Sequence, residues 1–95
     1  MLDQLTRQDF TEPDALGITI DHASQRIALS VQEVRDLPPI SPPQAPFAVI
    51  LEGPRDPFLP QGIYPLVHPR HGRLDLFIVP IGRDAAHTRY EIIFN

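Results

Sequence analysis

Two histidines with a carboxylate close by are the residues of this sequence best suited to chemistry. His68 and His71 lie three residues apart, and Asp75 follows four residues after His71. Zn²⁺ accepts imidazole nitrogens and carboxylate oxygens, but a site needs three or four ligands that converge at about 2 Å. Because the histidines flank a predicted turn, we expect two solvated imidazoles there. A small metal-binding or hydrolytic protein that uses His68, His71 and Asp75 is kept as the alternative.

Glu91 is a second carboxylate whose surroundings need an explanation, because it stands between Tyr90 and Ile92 in a predicted strand. General acid–base catalysis needs carboxyl groups in a cleft that shifts their pKa, and a single strand carboxylate does not indicate a cleft. A carboxylate on a partly apolar sheet face needs a cation instead. We therefore predict that Glu91 forms an ion pair with Arg73 or Arg89.

No catalytic, cofactor-binding or metal-binding motif is recognised elsewhere in the sequence. A Ser-His-Asp order, a glycine-rich phosphate loop and an internal repeat are all missing. The chain also has no cysteine, so neither a catalytic thiol nor a thiolate metal site can form. We therefore predict a protein that works without a cofactor and is not an enzyme.

The elements that must position these side chains are short β-strands. Apolar runs separated by turn signals predict an antiparallel meander in the second half of the chain. Its strands are Phe47–Glu52, Ile63–His68, Arg73–Pro80 and Arg89–Asn95. Pro65 places its strand at a sheet edge, or turns the missing N–H out of the ladder.

The first half of the chain predicts a helix, a hairpin and a connector. Leucines at helical spacing favour a short helix over Leu2–Asp9. Gly17–Asp21 and Gln25–Asp36 form a hairpin, and a change of apolar phase after Val31 places a β-bulge near Gln32-Glu33. The proline-rich segment from Leu37 to Pro46 is a stiff surface connector.

Together these elements predict a single all-β domain over residues 1–95. About six short strands with proline-rich crossovers close best into a small antiparallel barrel-like roll or a two-layer sandwich. A barrel interior could also hold a small ligand in a cavity lined by Tyr64, Phe77 and Tyr90.

The run from Leu74 to Val79 is apolar at five of its six positions. A strand with one face in water alternates apolar and polar residues, so this run predicts cover on both faces. On one face, we expect Leu74, Leu76 and Ile78 to pack with the inward residues of the last strand, which are Tyr90, Ile92 and Phe94. The second face is formed by Phe77, Val79 and Ile93, and its cover would be the N-terminal helix, the loop around Phe58 or another subunit.

These apolar residues define the predicted contact surface, through which the chain self-associates or docks a protein partner. An exposed apolar patch on a soluble domain usually marks such a surface. Its members are Phe58, Leu59, Tyr64, Phe77, Val79 and Ile93.

Composition and charge exclude other partners and indicate a compartment. The net charge is −4, and all eight basic residues are dispersed arginines, so we expect no nucleic acid partner. No apolar run reaches the roughly 18 residues of a membrane span. The first ten residues lack the apolar core of a secretory signal, which predicts a cytoplasmic protein. The absence of lysine beside plentiful arginine, proline and alanine suggests a bacterial source.

An ordered set of residues also resembles a small bacterial domain family of unknown function. The resemblance covers most of the chain and is carried by Leu51-Glu52-Gly53-Pro54, Leu59-Pro60-Gln61-Gly62-Ile63-Tyr64, Gly72-Arg73-Leu74, Leu76-Phe77-Ile78-Val79-Pro80-Ile81-Gly82 and Tyr90-Glu91. It implies an all-β domain without an established activity. It also implies association with a phage-tail-like assembly, since such domains occur near genes that resemble phage-tail collar proteins.

Overall fold

The computed structural model describes residues 5–11, 17–38 and 46–94, and these residues form an all-β domain. The strands are β1 (Thr19–His22), β2 (Gln25–Ala28), β3 (Ser30–Asp36), β4 (Phe47–Pro54), β5 (Gly62–His68), β6 (Gly72–Arg83) and β7 (His87–Phe94). All the pairings between them are antiparallel. The predicted all-β, barrel-like fold is confirmed.

The seven strands form one curved sheet with the order β2-β1-β5-β6-β7-β4-β3. Its two terminal strands, β2 and β3, are consecutive in the chain and are separated only by Leu29. The sheet therefore curls round so that its two ends meet at one residue. This gives the barrel-like roll an inward face, which carries the core, and an outward face.

Strand β6 connects the two halves of the roll because it changes partner along its length. Its first part pairs with β5 as far as Ile78, and its second part pairs with β7 from Val79 onward. A register shift between Pro80 and Gly82 bends the strand without ending it. The sequence-based prediction that this strand ends at Pro80 is wrong, since it continues to Arg83.

In the first half the hairpin turn and the bulge are confirmed, but the predicted strand Gln25–Asp36 is divided at Leu29 into β2 and β3, and β3 pairs with β4 instead of β1. Strands β1 and β2 meet at a two-residue turn, in which Ala23 and Ser24 both have positive φ. The register between β3 and β4 shifts between Val31 and Glu33, where the change of apolar phase places the bulge. Most of the proline-rich connector lies outside the described residues.

A single 3₁₀ turn, Arg7–Phe10, stands where the sequence predicts a helix over Leu2–Asp9, whose first residues lie outside the described ranges. The Phe10 ring is fully buried and lies 5.2 Å from the Phe94 ring and 5.4 Å from that of His68. These rings belong to β7 and β5, so Phe10 fills the space between the two halves of the roll. Packing of Phe10 stabilises this short turn. Helical spacing of apolar residues therefore does not by itself predict a full helix here.

The core is built from the inward residues of every strand, and β6 and β7 contribute to it as predicted. Leu74, Leu76 and Ile78 are buried on the same side as Tyr90, Ile92 and Phe94. Pro65 lies within β5, an internal strand, beyond the two residues that pair with β1. Its missing N–H therefore interrupts no pairing with β1. Within the described ranges, no helix has the length and apolar character needed to cross a bilayer.

Within the residues that the structure describes, β6 is covered on its inward face only, and cover of its outward face by another subunit stays a prediction. Phe77 is 53% exposed and Ile93 is 54% exposed, so neither the N-terminal turn nor the Phe58 loop covers that side. The strand that is buried on both faces is β4, where each residue from Phe47 to Leu51 is buried. Its two neighbours, β3 and β7, shield its outward residues from solvent.

Candidate functional site

His68 is a buried structural residue and not the solvated side chain that its position beside a turn predicts. Its ring is 1% exposed, and its Nδ1 accepts hydrogen bonds from the backbone N–H groups of Arg70 at 3.0 Å and His71 at 3.4 Å. Its Nε2 lies 2.5 Å from the carbonyl oxygen of Asp9. Because Nδ1 accepts, Nε2 carries the proton and donates it to this carbonyl. Both ring nitrogens are thus used to hold the turn after β5 against the N-terminal 3₁₀ turn.

Asp9 lies beside both histidines, with its backbone carbonyl against His68 and its carboxylate against His71. Its Oδ1 lies 3.0 Å from Nε2 of His71, without a well-formed hydrogen bond, and its Oδ2 accepts the Thr6 backbone N–H at 2.9 Å. Arg70 approaches Oδ1 at 3.8 Å. Burial by itself would raise the pKa of Asp9, but the contact with His71 and the Thr6 N–H outweigh burial and hold this pKa below its ordinary value.

Asp75, the third member of the predicted cluster, lies apart from the two histidines. It occupies an outward position of β6 between the buried Leu74 and Leu76, and its Oδ1 accepts a hydrogen bond from Arg73 at 3.2 Å. Asp9 takes its place beside the histidines. Among the described residues, no group of three or more His, Cys, Asp or Glu side chains is arranged to hold a metal ion. The geometry therefore favours a structural role for His68, whose nitrogens have no lone pair to spare.

The outward face of the sheet carries a second candidate, which we call the outer apolar patch: Ile63, Phe77, Val79 and Ile93. Ile63 lies directly opposite Phe77 in the pairing of β5 with β6. Val79 follows Phe77 on the same face of β6, and Ile93 stands on β7 beside the point where β6 changes partner. Ile63 is 71% exposed, the largest value among the exposed large hydrophobic residues of the described ranges. Scattered exposed apolar residues are normal, but adjacent ones on one face form a potential contact surface.

The three remaining members of the predicted surface do not belong to this patch. Leu59 is 1% exposed, and its backbone N–H donates to the Tyr90 hydroxyl at 3.1 Å, so its assignment to a contact surface is wrong. Tyr64 packs inward, and its hydroxyl donates to the Pro60 carbonyl at 2.6 Å. Burial raises the pKa of this hydroxyl.

Phe58 is 42% exposed but lies at the other end of β6, with its ring 5.3 Å from the guanidinium of Arg83. Since Phe77 faces outward, it cannot line an interior cavity with Tyr64 and Tyr90. The small-ligand site predicted from these three residues is therefore not formed.

Glu91 lies at the border of the outer apolar patch, and the ion pair predicted for it is not formed. Its direct neighbours across the sheet are Val79 on β6 and Ile50 on β4. It is partly buried, and within the described part of the chain it makes no hydrogen bond or ion pair. Arg35 interacts with it electrostatically from β3, beyond ion-pair distance. The carboxylate is therefore set in an apolar surrounding without a cation in contact.

The arginines on the same face as Glu91 are each paired with another acid. Arg73 contacts Asp75 at 3.2 Å, and Arg35 binds both carboxylate oxygens of Glu33 at 2.9 and 3.2 Å. Arg89 pairs with Glu52 at 3.4 Å and with Asp84 at 3.2 Å. The two cations predicted for Glu91, Arg73 and Arg89, are thus engaged elsewhere on the same face.

Two residues of the candidate sites, Asp9 and Ile63, are not predicted by the sequence. Asp9 gave no signal, since its partners are far away in the chain. Ile63 could have been found, because the predicted hairpin from Ile63 to Pro80 places it on the same face as Phe77. The outward face was recognised from Phe77, Val79 and Ile93 alone.

A family model described as "Domain of unknown function (DUF6916)" matches residues 5–94 of the chain. No curated protein and no solved structure shows significant similarity to it.

Proposed function

Since the chain belongs to the family of domains of unknown function DUF6916, we propose its function from its geometry. It is a non-enzymatic interaction or structural accessory module that binds protein through the outer apolar patch. The observation that carries this proposal is the exposure of Ile63, Phe77 and Ile93 side by side on one sheet face. Association with a phage-tail-like assembly, which the resemblance implies, stays a prediction.

The physical argument is the cost of leaving these side chains in water. Removing apolar surface from water is favourable by about 25 cal/mol per Å², and the part that exceeds the costs of association stabilises a complex. A domain of this size also buries a smaller fraction of its surface than a large one, so additional burial against a partner is valuable to it. The other candidate, metal binding or hydrolysis by His68, His71 and Asp75, lacks such support because Asp75 is apart from the histidines.

The proposal is tested by photo-crosslinking in the producing cell. p-Benzoylphenylalanine replaces Phe77 in one variant, and the same residue replaces Arg26 in a control. Arg26 lies on the outward face of β2, where it pairs with Asp21 and is well exposed. We expect protein adducts from position 77 and none from position 26. Adducts that are absent at position 77, or equally abundant at both positions, would contradict the proposal.

A substitution supplies the second measurement. Phe77→Asn keeps the strand but removes the apolar side chain, and we expect it to abolish the contacts found by crosslinking. Because Phe77 is 53% exposed, the free energy of unfolding should change by less than about 1 kcal/mol. Urea unfolding followed by circular dichroism checks that the variant is folded.

A further inference from the structure

We propose that the protein which binds the outer apolar patch presents an arginine or lysine within an apolar segment, and that this cation pairs with Glu91. The inference rests on the proposed function and adds the chemistry of the partner. It follows from the position of one carboxylate relative to the apolar residues around it.

The first step is what happens to Glu91 when the patch is covered. Its cross-strand neighbours, Val79 and Ile50, are apolar, and Ile93 follows it on the same face of β7. A partner that covers Phe77, Val79 and Ile93 must remove water from the carboxylate at their border. An ionised carboxylate without water or a cation is strongly unfavourable, so the bound state requires a cation at this point.

The second step is that the chain itself does not supply this cation. Arg35, Arg73 and Arg89 stand on the same face, and each contacts a different acid. Moving one of them to Glu91 would break an ion pair that is already formed. The cation must therefore come from the bound protein.

The third step excludes a second copy of this chain as the preferred occupant. In a two-fold contact the same patch lies on both sides of the interface, so each copy would bring another unpaired Glu91 and no spare cation. The net charge of the chain, −4, adds to the repulsion between copies. A basic apolar segment complements both the patch and its acidic border.

Peptide selection tests this inference, with a random phage-displayed peptide library as the probe. The library is selected on the wild-type domain, and binders that persist on Phe77→Asn are discarded. We expect the remaining peptides to combine aliphatic or aromatic residues with arginine or lysine. A selected peptide should bind Glu91→Gln at least about 30-fold more weakly, which is the size expected when one member of a desolvated charge pair is lost.

Asp75→Asn is the matched control. Asp75 is also an outward acid of this face, two residues from Phe77, but it already pairs with Arg73. A general effect of negative charge would weaken peptide binding equally in both variants, whereas direct pairing weakens it in Glu91→Gln alone. Replacing the basic residue of the peptide by glutamine should remove the difference between wild type and Glu91→Gln.

The outcomes separate this inference from the proposed function. Peptides that depend on Phe77 but are neutral or acidic, or that bind Glu91→Gln as well as wild type, would overturn the inference and leave the proposed function standing. A dimer in light scattering that Phe77→Asn dissociates would overturn it in favour of a second copy. A selection without any Phe77-dependent peptide and without a dimer would count against both.

Discussion

At the scale of single residues, the structure separates the polar groups that hold the fold from those that lie on the outward face of the sheet. His68 and Asp9 are buried, and their polar atoms are used within the chain. The sequence predicted the histidine pair but the wrong carboxylate. Asp75 is close to the histidines in sequence, but the alternation of side chains along β6 turns it outward. The backbone carbonyl of Asp9 contacts His68 although the two residues are 59 positions apart in the chain. A contact of that range leaves no local pattern.

The pH dependence of stability should reveal Asp9. Because its folded pKa is lowered below 3.8, its contribution is fully present above that value and is lost as the pH falls through the folded pKa. We expect Asp9→Asn to lower the free energy of unfolding by about 1–2 kcal/mol at pH 7, and by less at about pH 3. Urea unfolding at both pH values measures the difference.

Asp36→Asn is the control for this experiment, since Asp36 is well exposed and pairs only with the exposed Arg7 among the described residues. Exposed pairs contribute between about 0 and 1 kcal/mol. A wild-type unfolding profile for Asp9→Asn would mean that the Asp9 contacts do not stabilise the fold.

At the scale of the elements, two strands with similar apolar runs differ in burial. The run in β6 predicts cover on both faces, yet within the chain it is β4 whose residues from Phe47 to Leu51 are all buried. Sequence composition does not distinguish them, because the difference comes from sheet order: β4 lies between β3 and β7 along its length, while β6 changes partner at Ile78. The strands themselves, the hairpin turn and the bulge near Gln32 were predictable, because each has a local signal.

The close approach of β4 to Leu29 gives a test of packing between elements. A Cβ on Gly53 would lie 2.6 Å from the Leu29 Cδ2, and Leu29 is buried, so the side chain has little room to move. We expect Gly53→Ala to destabilise the domain by about 1–3 kcal/mol in urea unfolding. Combining it with Leu29→Ala should cost less than the sum of the two single changes.

Gly62→Ala is its counterpart on β5. The Cβ added there meets the Tyr64 ring at 3.6 Å, an ordinary contact, so its effect should be small. Equal losses from both glycine substitutions would show that backbone freedom, and not the approach of Leu29, decides the cost.

At the scale of the whole molecule, stability is distributed unevenly over the roll. The all-β class and the barrel-like roll could be predicted from the number and length of the strands. The meeting of β2 and β3 at one residue could not, because pairing between distant strands has no signature in a single sequence. Strand β4 has two neighbours and two buried faces, whereas β2 pairs only with β1, and of its residues only Ile27 is buried.

Native-state hydrogen exchange should map this distribution. Amides of Ala48–Leu51 should exchange slowest, near the rate set by global unfolding, and those of Gln25–Ala28 fastest among the strands. The physical reason is that β2 can open without exposing much of the core. Equal protection of β2 and β4 in an NMR exchange series would be inconsistent with this distribution.

Leu29 gives the roll a mechanical property. As the single link between the first and the last strand of the sheet, it acts as a short tether, so β2 can separate from β1 but its last residue stays beside β3. The backbone N–H of Leu29 donates to the carbonyl oxygen of Ile18 at 2.9 Å, and the Leu29 side chain is buried. Backbone and side chain therefore both hold this residue in place. A local opening of β2 is therefore confined to the span between the hairpin turn and Leu29.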